Sequence, residues 1–244
     1  MSPIKYGDYA VAFIDLLGFS EVVMASERDE NALFALQRVM GLLSDAVGNL
    51  NRRVVPEVPE AFIPKPLYVF DSLVISSPLR GVSEDGRPLH GLDAVVIRCI
   101  QVCHILLNDG YLVRGGIAVG KAWQEEKNIV GPACVAAVAI EKTTKMPRIE
   151  IHESALPYSR NLSEPVCRMC ITYDEKLMVN SLHDYYLPDR DSPGALEAAY
   201  ARYAATANRN SKHADEGVAK KWQWFAGFLQ SETRRAAGYM AADR

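Results

Sequence analysis

The chain has 244 residues, 49% hydrophobic and 23% charged, with 27 Lys and Arg against 30 Asp and Glu. This composition excludes a disordered chain, a small disulfide-held scaffold and a nucleic-acid binder that relies on a basic surplus. With a formal net charge of −3, a polyanionic partner has to be held by something other than bulk charge.

The amino terminus lacks the basic start and long apolar core of a signal peptide, and no uninterrupted apolar stretch approaches the roughly 20 residues of a membrane span. The five cysteines form no zinc framework. Cys99 and Cys103 sit at helical spacing and read as core, and Cys167 and Cys170 make a single CxxC without a second pair. A reducing cytoplasm and no membrane partner are the expectation.

Tyr9 to Leu16 reads as a buried strand, closed by a turn at Gly18. Residues 27–50 carry Leu33, Leu36, Val39, Met40, Leu43 and Val47 at helical spacing, and Pro56, Pro59, Pro64 and Pro66 then open a loop. Leu67 to Ser77 is a strand pair interrupted at Asp71-Ser72, followed by a polar loop through Gly81, Gly86 and Pro88. Leu92 to Leu107 is a helix and Tyr111 to Val119 a strand, with a polar hairpin tip from Lys121 to Lys127. Gly131 to Lys142 is a helix of small residues. Arg148 to His152 and Val166 to Tyr173 are further strands. Paired strands alternating with helices predict an α/β fold, an α+β sandwich with a ferredoxin-style mixed sheet. From Pro193 the character changes, and Ala195 to Asn208 and Val218 to Gly238 predict two helices packed on the core or on a second subunit. The expected division is a domain over 1–192 and a helical extension over 193–244. Lys220-Lys221-Trp222-Gln223-Trp224-Phe225 within that extension reads as a packing helix rather than a nucleic-acid patch.

Two acidic residues stand out because each interrupts an apolar run, where a charge is costly without a partner. Asp15 ends the first strand, directly before the Gly18-Phe19-Ser20 turn, whose backbone N–H groups can hold phosphate oxygens at a helix start. Asp71 breaks the strand pair. Carboxylates at the ends of adjacent strands can meet, and they repel unless a cation neutralises them. Such oxygen ligands suit Mg²⁺ or Mn²⁺, and with them two-metal phosphoryl-transfer chemistry on a nucleoside triphosphate.

Phe13-Ile14-Asp15-Leu16-Leu17-Gly18-Phe19-Ser20 resembles the F-x-D-h-x-G-F-[ST] motif of class III nucleotide cyclases. Phe70-Asp71-Ser72 falls where that family has its Gly-Asp hairpin. Val113-Arg114-Gly115-Gly116-Ile117-Ala118-Val119-Gly120 resembles its R-x-G-I-x-x-G strand, and Ile129-Val130-Gly131-Pro132 to Glu141 resembles its h-h-G-x-x-V-N-x-A-x-R-h-E helix. The resemblance covers roughly residues 8–155 in the family's order. It implies a class III cyclase-like mixed sheet with flanking helices and catalysis by Asp15 and Asp71. Two divalent ions, Mn²⁺ or Mg²⁺, would be held in each site by these residues and the Leu16 carbonyl. Gly18, Phe19 and Ser20 would bind phosphate. Base contacts would come from the other subunit of a homodimer, with Tyr68 and Asn128 as candidates.

The departures carry information too. The family's transition-state Asn falls on Val135 and its Arg on Ala139; its purine-reading Lys falls on Leu67, and that residue's Asp partner on Asn128. A hydrocarbon at position 67 cannot read a purine edge by hydrogen bonding. This combination is similar to the pyrimidine cyclases of the Pycsar anti-phage systems. The resemblance implies conversion of UTP, or CTP, to a cyclic nucleotide that activates a separately encoded effector, with UTP favoured and no nucleic acid involved. The alternatives are a degenerate nucleotide-binding sensor and an ordinary adenylate or guanylate cyclase. Arg114, Lys121, Lys142, Lys145 and Arg148 lie near the motifs, and each reads as a surface salt-bridge residue.

Overall fold

The structure, a computed structural model, describes residues 3–47, 50, 57–125, 128–159, 162, 164–184, 187 and 192–242. Its elements run β1 (Gly7–Leu16), α1 (Phe19–Ser26), α2 (Glu30–Gly41), β2 (Lys65–Val69), β3 (Ser72–Pro78), β4 (Arg80–Val82) and β5 (Pro88–His90). They continue with α3 (Gly91–Asn108), β6 (Val113–Glu125), β7 (Asn128–Val130), α4 (Pro132–Thr143), β8 (Ile149–Ile151), α5 (Leu156–Ser159) and α6 (Glu164–Cys167). The last are β9 (Cys170–Tyr173), β10 (Lys176–Val179), α7 (Ala195–Asn210) and α8 (Glu216–Ala242).

The main sheet is mixed, in the order β2-β3-β1-β6-β8-β10-β9, with β7 paired to β6. β1 runs antiparallel to both β3 and β6, whereas β6 and β8 are parallel. The two-residue period of β1 divides the core. Ala10, Ala12, Ile14 and Leu16 join the cluster under α3, and Tyr9, Val11 and Phe13 face Ala133 and Ala137 of α4. α4 can lie this close because Gly116 has no side chain: a Cβ there would come within 2.5 Å of Ile140 Cβ. α3 is long and apolar enough to cross a bilayer, and most of it is buried inside the fold as the central core helix.

The predicted fold class is the observed one, a mixed sheet with flanking helices and two helices at the carboxy-terminal end. Several elements differ in detail. The helix expected over 27–50 is preceded by the separate helix α1; the break falls where the Asp29 side chain accepts from the Asn31 N–H and caps α2. α2 continues as π-helical turns over Leu42–Val47, and residues 48 and 49 lie outside the described part. The expected strand Val166 to Tyr173 is instead the short helix α6 followed by β9, which pairs with an unforeseen β10. The supposed polar tip at Lys121 belongs to β6, which extends to Glu125; Lys127 lies outside the described residues.

α7 and α8 pack on the core, where Trp222, Phe225, Phe228 and Leu229 join Tyr200, Tyr203, Leu107 and Leu112 in a second apolar cluster. Two buried polar contacts fix this docking. His104 of α3 bridges the Tyr203 hydroxyl and the His183 carbonyl, each at 3.0 Å. Glu232 of α8 accepts from Asn180 at 2.7 Å and pairs with Arg235 at 2.6 Å. Burial pushes the His104 pKa down to about 4, so the ring is neutral at ordinary pH and serves as a hydrogen-bonding strut.

Candidate active site

Asp15 and Asp71 lie at the ends of adjacent strands, where their carboxylates can meet. Asp15 is register partner to Ser72, the residue after Asp71, and the Leu16 N–H donates to the Asp71 carbonyl at 3.1 Å. The two carboxylates therefore sit at the same end of neighbouring strands. The Ser72 hydroxyl donates to Asp71 Oδ1 at 3.1 Å. Asp15 is 8% exposed. Its pKa is raised, first by burial; Arg114 opposes this and the Asp71 charge reinforces it.

Arg114 is no surface residue, contrary to the sequence reading. It is register partner to Asp15 on β6, and the strand alternation puts it on the α4 face with Gly116 and Ala118. Its Nε donates to Asp15 Oδ2 at 2.9 Å, and its Nη2 pairs with Glu141 Oε1 of α4 at 2.7 Å. Glu141 is thus a third carboxylate at the site, its pKa also raised by burial against the pull of Arg114. The signal for Glu141 was its place as the final acid of the helix motif. Arg148, also expected at the surface, is largely buried between Glu150 at 2.8 Å and Asp174 at 2.9 Å.

The Gly18-Phe19-Ser20 segment turns from β1 into a helix, as the sequence predicts. Gly18 adopts φ +83°, a left-handed conformation that an L side chain resists, and it opens α1 without a side-chain cap. Phe19 packs into the core, and its ring meets Phe70 edge-on at 5.8 Å. Ser20 is exposed on the first turn. Glu21 reaches back beside Gly18, its Oε2 lying 3.8 Å from where a Cβ on Gly18 would stand. Phe70, next to Asp71, is 66% exposed and holds φ +58°, a strained position for an aromatic residue.

The two base-reading candidates are not brought to Asp15 within one chain. Tyr68 lies on the opposite face of the sheet, where its hydroxyl donates to the Leu43 carbonyl; its neighbour Leu67 faces the α4 side. Asn128 is exposed and pairs with Glu125 at the far end of β6 from Arg114, on the order of 30 Å of strand away. Val135 and Ala139 are exposed on α4 one helical turn apart.

The donors suit a hard divalent cation. Asp15 keeps Oδ1 beyond its Arg114 contact and Asp71 adds a carboxylate; the Leu16 carbonyl is the further ligand that the motif resemblance implies. Among the described residues no group of three or more His, Cys, Asp or Glu is arranged as a metal cage. A cation here would depend on water and substrate phosphate for its remaining ligands, the usual habit of Mg²⁺.

No protein-family profile matches the chain, and no curated protein matches it. Among solved structures it is similar to the catalytic core of a rhodopsin-guanylyl cyclase with converted specificity in complex with ATPαS. Identity is 16% over 72% of this chain and 96% of that one, with a TM-score of 0.43. It is also similar to a class III adenylyl cyclase-like ATP-binding protein from Pseudomonas aeruginosa, at 10% identity over 80% of this chain and TM-score 0.46. The match spans 40% of that protein's length.

Proposed function

We propose that the chain is a pyrimidine nucleotide cyclase that converts UTP, or CTP, to the 3′,5′-cyclic nucleotide and pyrophosphate. The observation that carries this reading is the convergence of Asp15 and Asp71 on one end of paired strands, directly before the Gly18 turn. Asp15, Asp71 and the Leu16 carbonyl would hold two Mg²⁺ or Mn²⁺ ions. Such ions supply acidity to the ribose 3′-hydroxyl and positive charge to the triphosphate. The backbone N–H groups of Gly18, Phe19 and Ser20 bind phosphate oxygens, and Arg114 keeps Asp15 oriented and ionised. Leu67 withholds the hydrogen bonds that a purine edge needs, which disfavours ATP and GTP.

The functional unit is a homodimer. Asn128 lies too far from Asp15 of its own chain to share its site, so it serves the site of a second copy. Residues 1–192 form the catalytic part and 193–244 the extension. The product is a cytoplasmic messenger in anti-phage defence, read by a separate effector protein.

Pyrophosphate release from UTP with Mn²⁺ or Mg²⁺ tests the proposal. Release by the purified protein that disappears in Asp15→Ala and in Asp71→Ala supports it. A second reading, a nucleotide sensor without turnover, draws on the way Arg114 already pairs with both Asp15 and Glu141. Triphosphate binding with no pyrophosphate release would decide for the sensor.

A further inference from the structure

The proposed reaction forms the O3′–Pα bond as the bond from Pα to the bridging β-phosphate oxygen breaks. The electron pair of that bond leaves with pyrophosphate, and the hydroxyl proton passes to solvent. Charge builds on the leaving group, where a side-chain cation is effective. Helix α4 offers none at its exposed Val135 and Ala139, and Arg114 is engaged by two carboxylates.

The C-terminal extension is positioned to fill the gap. Leu17, two residues past Asp15, leaves β1 and enters the apolar cluster that holds Leu112, Val218, Trp222 and Phe225. Its N–H donates to the Leu112 carbonyl at 3.0 Å. The first turns of α8 are therefore seated at the end of the sheet that carries Asp15. Lys221 follows Val218 by three residues and precedes Phe225 by four, which puts it on the docked side of the helix. It is half-buried and has no ion-pair partner among the described residues, whereas its neighbour Lys220 pairs with Glu216 at 3.4 Å. The Lys221 charge also reaches Asp15, where it favours the ionised carboxylate.

We propose that Lys221 of the C-terminal helix is the catalytic cation of this site, its ammonium group meeting the triphosphate at the leaving β-phosphate. The proposal rests on the cyclase reading and gives the appended helices a part in it: they carry a positive charge toward Asp15, where Val135 and Ala139 of α4 supply none. The ligand class is a nucleoside triphosphate, contacted at its phosphates and not at its base.

The test compares wild type, K221M, K221R and K220M in single-turnover reactions with UTP, and in equilibrium binding of the non-cleavable α,β-methylene UTP with Mg²⁺. K221M is expected to slow the chemical step by about 100-fold or more while binding of the analogue weakens far less. K221R should recover part of the rate, and K220M should behave as wild type. The cluster-forming residues are untouched, so the melting temperature should hold in all three variants. An active wild type with K221M turning over at the same rate overturns the inference and leaves the cyclase reading standing. A rate loss that K221R does not relieve, or that follows a fall in melting temperature, assigns Lys221 to structure and also overturns it. A wild type that neither binds the analogue nor releases pyrophosphate removes the cyclase reading and this inference together.

Discussion

Replacing Arg114 with Met keeps most of its packing volume and removes its charge. In the wild type one guanidinium answers two carboxylates, and the side chains of Asp15, Glu141 and Arg114 are only 12%, 9% and 29% exposed. Removing one partner of a buried ion pair costs about 3–5 kcal/mol. Partial exposure of Arg114 places the expected loss at the lower end, about 3 kcal/mol near neutral pH. For a chain of this size that is a fall in melting temperature of roughly 6–12 °C. The loss must also depend on pH. Burial already raises both carboxyl pKa values, and Arg114 opposes the rise in each. A carboxyl with a raised native pKa binds more protons folded than unfolded, so its ionisation lowers stability as pH increases from the unfolded pKa through the native one. Without Arg114 that window extends upward. The deficit of R114M should be small at pH 4 and fully developed once both groups are ionised. Urea unfolding of wild type and R114M from pH 4 to pH 8 reads it directly. A deficit of constant size across that range would refute the electrostatic reasoning and make Arg114 a packing residue.

Other substitutions probe neighbouring features. At Phe70, held at φ +58°, Val should cost roughly 1–2 kcal/mol while Gly stays near neutral, because left-handed backbone penalises a β-branched residue most; equal stabilities in thermal melts would contradict the strain. Glu21→Gln removes an anion from beside Gly18 and should strengthen triphosphate binding by calorimetry, with about 0.5 kcal/mol of helix-dipole stabilisation given up; unchanged binding would place the phosphates elsewhere. Tyr68→Phe leaves the Leu43 carbonyl without its donor, a loss of about 1–2 kcal/mol, with the KM for UTP unaffected. A raised KM would restore Tyr68 as a base-reading residue.

The central features are legible in the chain because each breaks a local rule. Asp15 and Asp71 stand in apolar runs, and Gly18 marks a turn before a helix, so the end of β1 reads as a site from the residues alone. Arg114 reads as a surface residue although the signal against that lies in β6 itself: even-numbered positions 116 and 118 are small and face α4, so position 114 faces it too. Tyr68 and Leu67 are neighbours in the chain, yet successive strand residues point to opposite faces, and only Leu67 shares the face of Asp15. The break between α1 and α2 falls in the polar run 26–31, where the capping bond of Asp29 sets the start of α2. The packing of Leu17 on the cluster that holds Trp222, and the bond between His104 and Tyr203, join residues about a hundred or more positions apart. No local pattern encodes them, and the place of α8 beside Asp15 emerges only from the packed structure.

The most direct measurement is a competition reaction holding ATP, GTP, CTP and UTP at equal concentration with Mn²⁺, the cyclic products identified by mass. The expected product is a cyclic pyrimidine nucleotide, with cyclic UMP in excess, and none forms with Asp15→Asn or Asp71→Asn. Cyclic AMP or cyclic GMP as the main product would contradict the role given to Leu67, and product formation that survives loss of both carboxylates would contradict the site itself.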